Sequence, residues 1–385
     1  MIAAYLWIFA PLVVAGLLLL VRNDRWSAVL GSLASLLLAG AAARLPVNAP
    51  IAFGPLAFRI EAGLTILGRR LVIEPSDQPL LVLIYGMLAF WLFGTLAVGN
   101  ARRLAPFGLA ITAAMVAALS VQPFLYAALI IQMTVLAAVA LLVSPGRAPS
   151  RGALRLLVYL SLGMPFILLA GFLLSGVEAS PADLALVLQS AVLLGMGFAF
   201  LLAIFPFHTW VPMISEEHPP YVVSFILILL TTIVLLFGMG FLDRFTWLRE
   251  SSQVRAALQL VGLIMMVVGG GWAAFQRHLG RILGYAFIAE TGVSLLALSL
   301  PDQRLGVQLI FWLILPRVIA MGVWAMAANV LRFRAASLGF ADVRGLLRSL
   351  PVASAALVLA SLSLQGVPLL SSFPVRQALW EQLAQ

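Results

Sequence analysis

The sequence predicts an all-α polytopic membrane protein with about twelve transmembrane helices, some of them broken. Three observations carry that prediction. Of the 385 residues, 63% are hydrophobic and only 10% are charged, against about 25% charged in a soluble globular domain. The mean hydropathy is +1.11. The apolar residues also fall into runs of about 20, the length that crosses a bilayer as a helix. Soluble enzymes, disordered regulators and disulfide scaffolds are thereby excluded. With 0 cysteines there are no disulfides, thiolate metal sites or iron–sulfur ligands. All 23 basic residues are arginine, and lysine is absent. The net charge of +9 does not form one basic patch. The arginines sit between apolar runs, where membrane topology accounts for them, so no nucleic-acid partner is expected.

In order, the spanning runs are 2–21, 26–43, 79–99, 104–121, 123–143, 154–175, 184–205, 221–242, 256–274, 282–300, 305–331 and 350–370. The first has no basic leader and no small-residue cleavage site close behind it, so an uncleaved helix is expected. The polar interval 44–78, with Pro46, Pro50, Gly54, Pro55, Gly63 and Gly68, reads as a short irregular or hairpin segment. Loops after odd-numbered spans hold Arg22, Arg25, Arg102, Arg103, Arg147, Arg151, Arg155, Arg277, Arg281, Arg332, Arg334, Arg344 and Arg348. Loops after even-numbered spans hold Arg44, Arg59, Arg69, Arg70, Arg244, Arg249, Arg255 and Arg304, half of them in the one long loop. The bias places the odd loops in the cytoplasm and the N-terminus outside, in a multi-pass inner (plasma) membrane protein. Two proline-bearing interruptions recur, Phe205-Pro206-Phe207-His208 and Gly366-Val367-Pro368 through Pro374. Paired breaks mark an inverted-repeat transporter, while isolated prolines are also tolerated in membrane helices; the pattern alone leaves both readings open.

An ionisable side chain near the bilayer centre costs about 2.5–3.5 kcal/mol on insertion, which makes each one a functional candidate. Glu290 and Arg317 lie mid-span, and opposite charges in neighbouring spans make them a pair. His208, followed by Glu216, Glu217 and His218, trails the 184–205 run, while Arg155 and Arg376 stand at helix starts or breaks. The pair reads either as a structural lock on helix register or as a station on an ion path. Arginine keeps its proton, so a relay rests on Glu290 and His208. His208, His218, Glu216 and Glu217 lack HExxH or facial-triad spacing, so no metal site is expected. Gly269-Gly270-Gly271 reads as close helix packing rather than a phosphate loop. Trp91, Trp210, Trp312 and Trp380 read as packing and interfacial anchors.

The run Phe205-Pro206-Phe207-His208-Thr209-Trp210-Val211-Pro212, followed by Glu217-His218-Pro219-Pro220, resembles the PFHTWLP segment of antiporter-like membrane subunits. These belong to respiratory complex I, the Mrp-type antiporters and the membrane-bound hydrogenases. His278-Leu279-Gly280-Arg281-Ile282-Leu283-Gly284-Tyr285 with Ile288-Ala289-Glu290-Thr291-Gly292 is similar to that family's DLKRLLAYSSISHMG. Leu362-Ser363-Leu364-Gln365-Gly366-Val367-Pro368 through Phe373 is similar to LSLAGxPPLxGF. The resemblance implies a bundle with two inverted repeats, each holding a broken helix, and divides the chain at 1–78, 79–255 and 256–385. The family's bundle has about fourteen helices, and because this chain stops soon after the second break, its second repeat is expected to be truncated, with the last two helices missing. It also implies a midplane row of glutamate and lysines, from which this chain departs. Gln132 stands near the fifth-helix glutamate, and Leu201 and Leu236 stand at lysine positions. Arg317 and Arg376 replace two further lysines, His208 is kept, and Glu290 takes the place of a histidine.

The expected function is therefore a membrane-arm subunit of a complex I-like NADH:quinone oxidoreductase, associated with proton translocation. Its ion-path candidates are Glu290, Arg317, His208, Arg376 and Arg155. The neutral Gln132, Leu201 and Leu236 make its own path altered or degenerate. A non-conducting scaffold and a cation/proton antiporter component are the alternatives. No cofactor is expected in this chain. Its expected partners are the bilayer and the other membrane subunits of a respiratory or hydrogenase-like complex.

Overall fold

The computed structural model describes residues 2–53, 56–66, 68–143, 146, 148–179 and 184–384; Gly54, Pro55 and Arg147 of the sequence reading lie outside them. Nine helices among the described residues are long and apolar enough to cross a membrane, and three shorter apolar ones accompany them. Every apolar run of the sequence falls on one of these helices. By packing, the chain forms two compact units, 1–144 with 164–194 and 145–163 with 195–385.

The first unit opens with α1 (Ala10–Leu18) and α2 (Asp24–Arg44). The Asn23 side chain caps α2 by accepting from the Arg25 amide at 2.9 Å, and Asp24 and Arg44 complement its two dipole ends. The interval 44–78 is two hairpins. Strand β1 (Pro50–Phe53) pairs antiparallel with β2 (Leu56–Arg59), and β3 (Gly63–Ile66) pairs antiparallel with β4 (Arg69–Val72). Helices α3 (Gln78–Val98) and α4 (Ala101–Ser120) follow, then a two-residue strand β5 (Val121–Gln122) that adds to β4. Helix α5 (Ala127–Leu142) comes next. The Arg69 guanidinium lies 3.7 Å over the Tyr126 ring, a cation–π contact that ties the hairpin to the approach of α5.

Helices α6 (Arg151–Ala179) and α7 (Leu184–Leu201) follow, and α7 from Gly195 onward belongs to the second unit. There α7 stops at Leu201, the Phe205–Pro206 peptide is cis, and the chain resumes as the short α8 (Trp210–Glu217). Helix α9 (Pro220–Arg244) is apolar all round, and 83% of its spanning window is buried, as a core helix requires. After α10 (Thr246–Glu250) comes α11 (Ser252–Phe275), whose window is only 17% buried. Helix α12 (Leu279–Leu298) packs on α8, α11 and α13 (Gln303–Arg332). Of the glycine run, only Gly269 meets α12, with the Ala289 amide 2.6 Å from where its Cβ would stand; Gly270 and Gly271 face open space.

Two single turns, α14 (Phe340–Val343) and α15 (Leu346–Ser349), precede α16 (Pro351–Gln365). The run read from sequence as 350–370 thus ends at Gln365. Gly366 caps the helix in the left-handed region at φ 74°, and Pro368 cannot continue it. The chain resumes as α17 (Phe373–Leu383). Both proline-bearing interruptions are therefore real breaks.

Candidate functional site

Glu290 lies just past the middle of α12 and is only 4% exposed. A carboxylate in that position must be paired or neutral. It is paired twice. From α13, Arg317 donates from Nε to Glu290 Oε2 at 3.1 Å, and from Nη2 to the Glu290 carbonyl and to Ser294 Oγ, each at 2.8 Å. From the first turn of α17, Arg376 donates from Nη2 to Glu290 Oε1 and to the Leu364 carbonyl. Arg317 and Arg376 are 8% and 9% exposed.

Each chemical detail of this cluster follows from a local feature. Ser294 is one turn beyond Glu290 on the same face of α12, so it supplies a further acceptor to the guanidinium. Leu364 belongs to the last turn of α16, where carbonyls lack helical partners and the helix end carries about half a negative charge. Arg376 therefore fills the break between α16 and α17, satisfying one orphan carbonyl while it reaches the carboxylate. Gly366 has no side chain because the Arg376 stem occupies that space. The cluster holds two cations and one anion, leaving a formal excess of one positive charge beside the α16 terminus. A void of about 10 Å³ touches Arg317 and the Thr231 and Thr232 residues of α9, roughly the room one water requires.

The other sequence candidates belong to other elements of the chain. His208 is buried at the first break, its ring stacked on Phe205 at 5.5 Å and 6.3 Å from the Tyr285 ring of α12. Arg155 is exposed in the second turn of α6 and donates to Met213 Sδ at 3.1 Å. Gln132 is half-buried in α5 of the first unit. In the second unit, Leu201 is buried at the end of α7 and Leu236 half-buried in α9. Sequence reasoning did not single out Ser294 or the Leu364 carbonyl. The i+4 spacing from Glu290 was a signal for the first, and the second had none.

The end of α8 ties three segments together. Glu216 accepts from Arg281 Nε at 2.6 Å, Glu217 accepts from the Gly152 amide at 2.8 Å, and His218 Nε2 lies 2.7 Å from Ser150 Oγ. Burial pushes the His218 imidazole below its ordinary value, with Glu217 opposing and Arg332 adding to the shift. His278, just before α12, is lowered in the same way, with Glu216 opposing. Both histidines therefore bind protons more readily in the unfolded chain. Their contribution is complete above the ordinary histidine value of about 6.5 and is lost as pH falls below it. Thermal unfolding in detergent is expected to show the wild type losing stability over that acidic window, with His218→Gln losing less. Parallel pH profiles for the two proteins would count against the assignment to His218.

The family model described as NADH:quinone oxidoreductase/Mrp antiporter, TM, matches residues 150–383. NADH-quinone oxidoreductase subunit N of Chlorobium chlorochromatii is 28% identical over 244 residues, covering 57% of this chain and 46% of that protein. The chain spans about half the length of the curated relatives it matches. Among solved structures, a chain of the archaeal membrane-bound sulfane sulfur reductase superposes with a TM-score of 0.80 at 18% identity, covering 98% of this chain and 80% of that one. A chain of respiratory complex I from Thermus thermophilus with bound NADH gives 0.74 at 20% identity, covering 98% and 81%. These likenesses establish a shared antiporter-like fold.

Proposed function

We propose a function from the premise that this chain belongs to the NADH:quinone oxidoreductase/Mrp antiporter transmembrane family: it is a membrane-arm subunit of a complex I-like assembly. It is associated with proton translocation driven by electron transfer in partner subunits, which carry the redox cofactors. Its partners are the other membrane subunits of a respiratory or hydrogenase-like complex. It resides in the plasma membrane with its N-terminus outside, a reading supported by the arginine distribution between loops.

The observation that carries the reading is Glu290 held between Arg317 and Arg376 at the α16–α17 break. Arginines hold their protons, so they supply fixed charge rather than relay steps. Glu290 is the member of this cluster able to take up a proton. Doing so would remove the charge from both ion pairs and leave the Leu364 carbonyl as the charge-independent hold on Arg376, so proton uptake bears directly on the broken helix. This differs from a relay along a row of lysines. A non-conducting scaffold is the second reading, favoured by the neutral Gln132, Leu201 and Leu236. A cation/proton antiporter component is the third.

The deciding experiment removes all three charges at once, as Glu290→Met, Arg317→Met and Arg376→Met, so that no buried charge is stranded. Proton uptake per electron is then measured in the assembled, reconstituted complex. A fall in that ratio with assembly intact is the expected result. An unchanged ratio would eliminate the path through this cluster and leave the scaffold. Sodium–proton exchange without electron transfer would favour the antiporter component.

A further inference from the structure

A cavity of about 690 Å³ opens in the second unit, among the ends of α9 to α13. Its charged lining consists of Arg249, Arg255 and Arg304 with Asp243, Glu250 and Asp302. The rest is mostly apolar, including Leu248 and Leu258. None of the three guanidiniums pairs with a carboxylate among the described residues. Asp302 uses Oδ1 to cap α13, accepting from the Leu305 amide at 3.2 Å, which leaves its second oxygen open.

Three unpaired guanidiniums around one cavity repel one another and fit an oxyanion, since their forked donors match phosphate geometry. The open carboxylates of Glu250 and Asp302 fit a compact ammonium beside it. Position narrows the source. The cavity stands where the spans Pro220–Arg244, Ser252–Phe275, Leu279–Leu298 and Arg304–Arg332 end or begin, the level at which a bilayer places its headgroups. From there runs α11, whose window is the least buried of the nine long spans among the described residues, exposing Leu260, Leu263 and Val267. From Arg255 to Val267 that helix covers about 18 Å, comparable to an extended acyl chain.

The geometry points to a phospholipid site in which the phosphate lies on Arg249, Arg255 and Arg304, an ethanolamine-type ammonium lies on Glu250 and Asp302, and an acyl chain follows α11. The full chain, purified in its complex with mild detergent, tests this by native mass spectrometry after incubation with phosphatidylethanolamine, phosphatidylcholine or phosphatidylglycerol. The wild type is expected to retain phosphatidylethanolamine preferentially. The double variant Arg249→Gln, Arg304→Gln is expected to lower its occupancy by about tenfold, with helical circular dichroism and assembly unchanged. Glu250→Gln with Asp302→Asn keeps the α13 cap and is expected to erase the preference over phosphatidylglycerol. Equal occupancy in wild type and arginine variant would overturn the site. Displacement by excess inorganic phosphate would overturn the lipid in favour of a free anion. A crosslink from position 304 to a partner polypeptide, with no lipid retained, would overturn it in favour of a protein contact.

Discussion

Glu290→Gln is expected to destabilise the second unit by roughly 3–5 kcal/mol, the cost of breaking a buried ion pair from one side. The two cations make the asymmetry testable. With glutamine at 290 the amide oxygen can accept from one arginine, but its NH2 group then faces the other donor. Arg317 and Arg376, both buried, are left without an anion. Arg376→Met is expected to be milder, on the order of 1–3 kcal/mol, because it strands only the Leu364 carbonyl and part of one carboxylate. The Glu290–Arg317 pair, with its additional bonds to Ser294 and the Glu290 carbonyl, survives that change with balanced charge. Adding Arg317→Met to Glu290→Gln removes one of the two stranded cations and is expected to recover part of the loss. Chemical unfolding in mixed micelles reads all three differences. If Arg376→Met proves as costly as Glu290→Gln, the cluster is held by α17 docking and not by its charge balance.

How much of this was legible in the sequence depends on the range of the force involved. The helices were legible because lipid demands about 20 apolar residues per crossing, a local constraint. The hairpins showed through Gly63, Gly68 and the prolines, but the addition of β5 to β4 did not, since nothing in Val121-Gln122 announces a strand partner some 50 residues away. The Glu290–Arg317 pair was legible because each charge is costly in lipid and the two lie in consecutive spans. Arg376 was legible as a charge at a break. Its closure onto Glu290 was not, because that depends on how α16 and α17 fold back around Gly366. Arg155 looked equivalent to Arg376 in sequence. Its place on the exposed side of α6 is set by packing, which a charge count does not carry.

Gly280→Val is expected to be nearly as damaging, for a steric rather than an electrostatic reason. Gly280 and Gly284 lie one turn apart on α12 and face α8. A Cβ at 284 would stand 2.8 Å from the Pro212 Cα, and one at 280 would meet the Ser215 carbonyl. Backbone cannot rotate aside as a side chain can, so α8 itself must move. That helix ends in the Glu216–Arg281 ion pair, the Glu217 contact to the Gly152 amide and the His218–Ser150 hydrogen bond. Overpacking costs about 1–3 kcal/mol, and loss of the Glu217 and Ser150 contacts at the start of α6 adds about 1 kcal/mol. The internal control is Gly271→Val on α11. No atom lies within 4 Å of a Cβ there, and valine is a few tenths of a kcal/mol better than glycine in a helix. Gly271→Val is therefore expected to be neutral or slightly stabilising in the same unfolding assay. Equal losses at 271 and 280 would mean that the glycines of both helices serve a common constraint such as backbone flexibility. A loss confined to 280 would place the requirement in the contact between α12 and the short helix that follows the first break.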